Sequence, residues 1–67
     1  MRYIVVCSHN PISDSFDSRG EALDHIILTL PKGCSATVDF ANGRGDSRPV
    51  VRAWRDESGS FIIKVID

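Results

Sequence analysis

The run PVVRAWRDESGSFIIKVID, residues 49–67, decides which side chains share a face, and the fold is read outward from it. Two runs rich in β-branched and aromatic residues, PVVRAWR and SFIIKVID, flank the polar tetrapeptide DESG, the pattern of a β-hairpin. Loop length sets the register, and a slip of one residue turns every side chain of a strand to the opposite face. A loop of two or four residues sets Trp54 opposite Phe61 and Arg52 opposite Ile63, mixing arginine into the apolar face. A three-residue loop, Glu57-Ser58-Gly59, with Gly59 left-handed in a bulge, puts Val51, Ala53, Phe61, Ile63 and Val65 on one face. Val50, Arg52, Trp54, Ile62, Lys64 and Ile66 then share the other. The cleaner segregation selects the three-residue loop and sends its apolar face under a helix.

That helix is announced upstream. Ser18-Arg19-Gly20-Glu21 fits a capping box, the serine hydroxyl accepting from an orphan N–H and the glutamate reaching back. Leu23, Ile26, Ile27 and Leu30 follow at i, i+3, i+4 and i+7, one apolar stripe. Pro31 ends it, having no N–H to donate and disfavouring helical dihedrals at Leu30. RYIVVC is dense in strand formers and reads as a first strand over residues 2–8. HNPISDSFDS, residues 9–18, clusters Asn, Pro, Ser and Asp and reads as a loop. SATVDF alternates, with Ala36, Val38 and Phe40 on one face. The order is β-α-β-β-β. The expected class is α+β, one helix packed on one face of a four-stranded mixed sheet, in a single small domain spanning residues 1–67.

On this reading the far face of the sheet carries Tyr3, Val5, Cys7, Val50, Trp54, Ile62 and Ile66, interrupted by Arg52 and Lys64. An apolar patch of that extent is unusual on a free monomer. A chain of 67 residues also buries only about 60% of its unfolded surface, so apolar burial and chain entropy nearly cancel. A homodimer or another protein is therefore the expected partner.

Composition narrows the classes. With 42% hydrophobic and 25% charged residues the chain is expected to fold. Two cysteines, Cys7 and Cys34, are fewer than a secreted mini-domain carries and read as reduced thiols in the cytoplasm. The apolar run from Tyr3 to Cys7 is too short for a signal peptide, and no segment approaches the ~20 apolar residues of a membrane span. The net charge is −1. Acidic residues gather at Asp14, Asp17, Glu21 and Asp24, and arginines at Arg44, Arg48, Arg52 and Arg55, a polarity able to steer a partner.

Arg44-Gly45-Asp46-Ser47 matches the integrin-binding tetrapeptide. Asn42-Gly43 is a strong turn signal, so the stretch reads as the connection between two strands, and integrin binding would need an extracellular address. Cys7-x-His9 is the only close ligand pair and falls short of the paired ligands of a structural zinc site, so no metal is expected. No third group or oxyanion donor can be assigned to Cys7 with His9 or His25, and Gly43 and Gly45 precede no helix. No cofactor and no catalytic residue is expected.

The reading that remains is a small non-enzymatic protein-binding module that occupies a partner surface as a stoichiometric regulator or inhibitor. Trp54, Arg52 and Arg55 are its expected anchors, with Arg44 and Arg48 on the adjoining loop and Lys64 and Tyr3 beside them, since aromatic residues and arginine dominate such interfaces. Compact chains of this size and architecture occur among small phage and bacterial regulators, inhibitors of host defence included, an analogy of architecture alone. The alternative is a module for RNA or single-stranded nucleic acid on the same aromatic–basic face, disfavoured by the near-neutral charge. A third is a small ligand-binding protein or enzyme with its site across a dimer.

Overall fold

The computed structural model describes residues 2–66, and of residues 10–12 the backbone alone. Six elements follow in order: β1 (Arg2–Cys7), β2 (Asn10–Phe16), α1 (Arg19–Thr29), β3 (Ser35–Ala41), β4 (Ser47–Arg55) and β5 (Phe61–Val65). The sheet runs β2-β1-β3-β4-β5, and every neighbouring pair is antiparallel. This is an α+β fold, with five strands where four were expected and no parallel pair where a mixed sheet was expected. Asp67, counted in the expected last strand, lies outside the described residues.

The added strand is β2. It pairs with β1 alone, through a two-residue turn at Ser8-His9, and so forms a sheet edge. Tyr3, Ile4 and Val5 face Phe16, Ser15 and Asp14, but Cys7 faces Asn10, so β2 bulges across this step. Proline and polar residues belong to such a strand, because an edge leaves N–H groups that need no ladder partner and charges that deter further pairing. The same composition is what makes the stretch read as a loop. With β2 paired beside β1, α1 carries the chain over β1 to β3, packing on β1, β2 and β3.

α1 begins where its cap stands: Ser18 is extended, and its hydroxyl accepts the Glu21 N–H at 3.2 Å. It ends at Leu30, whose N–H still donates to the Ile26 carbonyl before Pro31. The buried stripe is Ala22, Ile26 and Leu30, with Leu23 at its margin. Ile27, expected in the stripe, is 47% exposed. Small Ala22 lets the helix approach the sheet on its own side, rotating Ile27 away from the core.

Under the helix lie Val5, Val38 and Val51, paired across three strands and each no more than 1% exposed, with Ala36 and Ala53 beside them. This corrects the expected faces of β1. Tyr3, Val5 and Cys7 point toward the helix, and Ile4 and Val6 point away. β1 is apolar at five successive positions, Tyr3 to Cys7, so alternation alone assigns it no phase; the pairing of Val5 with Val38 does. Val50 also changes sides. The register shifts between Val38 and Asp39, which face Val51 and Pro49, leaving Val50 as the extra residue of a bulge and buried next to Val51.

The β4–β5 hairpin has the expected register. Ala53 faces Ile63 and Trp54 faces Ile62. Asp56 N–H donates to the Ser60 carbonyl at 3.0 Å, enclosing Glu57-Ser58-Gly59, and Gly59 stands at φ 93°, where a side chain is strained. Helix cover ends before β5, however: Ile63 and Val65, expected under the helix, are 44% and 63% exposed.

Candidate functional site

The helix leaves the opposite face of the sheet open, and the pairing register assembles it in rows. Val6, Thr37, Arg52 and Lys64 stand in one row across β1, β3, β4 and β5. Ser35, Trp54 and Ile62 form the next. Trp54 is half-buried, held between its cross-strand neighbours, while Arg52, Lys64, Val6, Ile62 and Ile66 are exposed. A shallow cleft of about 440 Å³ on one side of the indole is lined by Arg52, Trp54, Lys64, Val65 and Ile66. A second, of about 620 Å³, lies on its other side toward Gly33, Cys34 and Glu57. Among the described residues neither Arg52 nor Lys64 has an ion-pair partner. The surface is an indole flanked by isoleucine and two uncompensated cations, presented on strands rather than loops.

Of the seven residues expected to make one site, the structure gathers three here: Arg52, Trp54 and Lys64. Arg55, the next residue of β4, points to the helix side. Its guanidinium donates to the carbonyls of Leu30 at 3.0 Å and Gly59 at 3.2 Å, and lies 5.2 Å from the Phe61 ring centre. It ties the end of α1 to the hairpin turn, where the helix C-terminus favours a cation. Tyr3 also stands on the helix side, packed on Phe40 with ring centres 5.4 Å apart. Arg48, expected on the loop, stands in β4 opposite Phe40 and lines a small cavity with Tyr3, Arg19, Phe40 and Val50. Ile4 and Val6, which replace Tyr3, Val5 and Cys7 on the open face, have no sequence signal to mark them, since neighbours on both sides are equally apolar.

Arg44 is exposed in the β3–β4 loop. There Asn42 Oδ1 accepts the Arg44 N–H at 2.8 Å, Asn42 N–H donates to the Asp46 carbonyl at 3.2 Å, and Gly43 and Gly45 both have positive φ. The Arg-Gly-Asp tripeptide is thus built as a hairpin turn, as its turn residues imply.

The remaining titratable groups have local duties. His25 Nε2 lies 3.1 Å from Asp14 Oδ2 and its ring 5.1 Å from that of Phe16, clasping α1 to β2. Asp56 accepts from the Ser58 hydroxyl and from the Ser58 and Ser60 N–H groups, and these bonds hold its carboxyl below the usual range. Cys7 and Cys34 are free thiols, half-buried. Burial pushes the Cys7 thiol up, as do the charges of Asp14 and Cys34, the opposite of what a thiolate nucleophile requires. Among the described residues no three of His, Cys, Asp and Glu gather as a metal site, and no helix is long and apolar enough to cross a membrane.

The chain matches no known family model, and comparison with curated proteins and with solved structures finds no relative.

Proposed function

We propose that the chain is a non-enzymatic protein-binding module that acts by stoichiometric occupation of a partner surface, as a regulator or inhibitor, through the open face of its sheet. The observation that carries this reading is Trp54, half-buried between Ile62 and the uncompensated Arg52 and Lys64 on a face that no element covers. Aromatic and arginine side chains set in apolar surroundings are the usual energetic centre of a protein interface. The partner's complement is an apolar patch rimmed by carboxylates, since Arg52 and Lys64 arrive without neutralising neighbours. The raised Cys7 thiol and the structural engagement of His25 favour binding over catalysis.

Single-stranded nucleic acid is the second reading, favoured by the cations beside an indole. It is weaker on this geometry than on the sequence, because Tyr3 and Arg55 leave the face and only one aromatic remains for stacking.

A photo-crosslinking amino acid at Val6, exposed on the open face in the row of Arg52, with the same group at Ser15 on the polar edge as control, leaves Trp54 in place and separates the two in cells. The expected result is one discrete polypeptide adduct at position 6 that is lost on Arg52→Glu. A nuclease-sensitive adduct transfers the face to nucleic acid, and the absence of any adduct above the control ends the protein-binding reading.

A further inference from the structure

The two edges of the sheet are built differently. β2 carries Pro11, Ser13, Asp14 and Ser15 and a bulge, the devices that keep an edge from pairing. β5 has no proline and no bulge, and of these devices carries one charge on a strand of five residues. Its residues Phe61, Ile62, Ile63 and Val65, with Ile66 just beyond, are apolar on both faces; Ile62, Ile63, Val65 and Ile66 are exposed, and Lys64 is its only charge.

The backbone shows which groups this edge offers. Ile66 N–H donates inward to the Val50 carbonyl at 2.9 Å, and the Ser60 carbonyl accepts inward from Asp56. In an antiparallel ladder the N–H and C=O of one residue point the same way and alternate along the strand. Ser60, Ile62, Lys64 and Ile66 therefore turn toward β4. Phe61, Ile63 and Val65 turn their backbone groups outward, where no strand among the described residues meets them.

The geometry points to self-association of this chain through β5, two copies pairing antiparallel across a two-fold axis at Ile63 to join two five-stranded sheets into one. The inference goes beyond the binding face and does not depend on it. The register is selected by the residues themselves. Centred on Ile63, the pairs Phe61–Val65, Ile63–Ile63 and Val65–Phe61 use every outward backbone group of the strand. On the helix side they bring apolar side chains together. On the open face they set each Lys64 opposite an Ile62. Centring on Lys64 instead would oppose two lysines, which is destabilising, and centring on Ile62 would leave Val65 without a partner. The strand is thus self-complementary in hydrogen bonding and in apolar pairing, and this register keeps its two lysines from standing opposite each other.

The helix side supports the same partner. His25 faces β2, and Ile27, two residues on, lies about 200° further round the helix, toward β5. Beyond it Phe61, Ile63 and Val65 line the helix side of β5, with Ile63 and Val65 exposed. Joining two copies brings these two apolar rows together between two helices on the same side of the sheet, and it sets the two open faces side by side for a bivalent grip.

Sedimentation equilibrium over a range of concentration tests this on the full chain. Wild type is expected to be dimeric, with Ile63→Pro weakening association by about 10-fold or more. The Ile63 N–H points outward, so proline there removes no β4–β5 bond. Ile63→Lys, which sets like charges opposite each other across the axis, is expected to do the same if proline disturbs the fold. Leu28→Lys, at a site 83% exposed on the outer helix, should leave the mass unchanged. A wild-type monomer at hundreds of micromolar would overturn the proposal. So would a dimer that survives both Ile63 variants, or one broken by Trp54→Ala in their place, which would put the open face and not the edge between copies.

Discussion

Arg55 illustrates how one residue's duty is set by its parity. Side chains alternate along a strand, so a face holding Val51 and Ala53 also holds Arg55, and one holding Arg52 also holds Trp54. The sequence therefore separates Arg55 from Trp54 once both are placed in one strand, whatever the hairpin register. Adjacency in the chain thus puts the two on opposite faces, and they cannot anchor one partner together. The structure uses Arg55 as a clamp, with two charge-assisted bonds to backbone carbonyls and a ring beneath it. Arg55→Ala leaves the Leu30 and Gly59 carbonyls without this donor and is expected to lower stability by about 1–2 kcal/mol, read as a shift of the urea midpoint with an unchanged slope. Arg52→Ala, on the open face, should leave that midpoint within about 0.5 kcal/mol. Equal effects from the two would contradict the division of labour.

Among the elements, legibility tracks how much each owes to local chemistry. α1 was readable because its signals are local: a serine that caps, a proline that stops and an apolar repeat between them. The β4–β5 hairpin was readable because only one register separates apolar from charged residues. β2 was hidden because an edge strand is selected to look unlike a strand. Even in α1, the choice among apolar positions was made by the sheet and not by the repeat, through the close approach at Ala22. That choice is measurable. Ile26→Ala opens a cavity in the core and is expected to cost about 2–4 kcal/mol, a large part of a small domain's stability; Ile26→Val, losing one methylene, should cost about 1 kcal/mol. Leu28→Ala, though larger in volume than the valine change, should fall within about 0.5 kcal/mol. Chemical denaturation of the three variants checks the order, and a Leu28 variant as damaged as the Ile26 variants would mean the helix is rotated from the orientation described.

The whole molecule is a flat plate, 39 × 23 × 16 Å, on which one short helix cannot cover five strands. Its coverage is decided by topology. Because the chain enters the helix from β2 and leaves it into β3, the cover lies over the β2–β1–β3 side, and β5 projects beyond it. Two surfaces are left over, the open face and the β5 edge, and they are the places where the candidate functions arise. The four-strand expectation hides this, since it places the apolar face of β5 under the helix, where Ile63 and Val65 are in fact exposed. Local stability should follow the same gradient. β3 is paired on both sides and covered by the helix. β2 is paired on one side and secured by the exposed His25–Asp14 contact, a kind of interaction worth at most about 1 kcal/mol. Amide exchange is therefore expected to be slowest at Ala36, Thr37 and Val38 and at least about 10-fold faster through the β2 ladder. β5 distinguishes itself by concentration. The inward amides of Ile62, Lys64 and Ile66 should be protected in dilute solution, while those of Ile63 and Val65 should exchange freely there and gain protection only as the protein is concentrated. Protection of Ile63 and Val65 in a sample that sediments as a monomer would mean that the β5 edge is already covered within one chain, and free exchange at every concentration would mean that copies do not meet there.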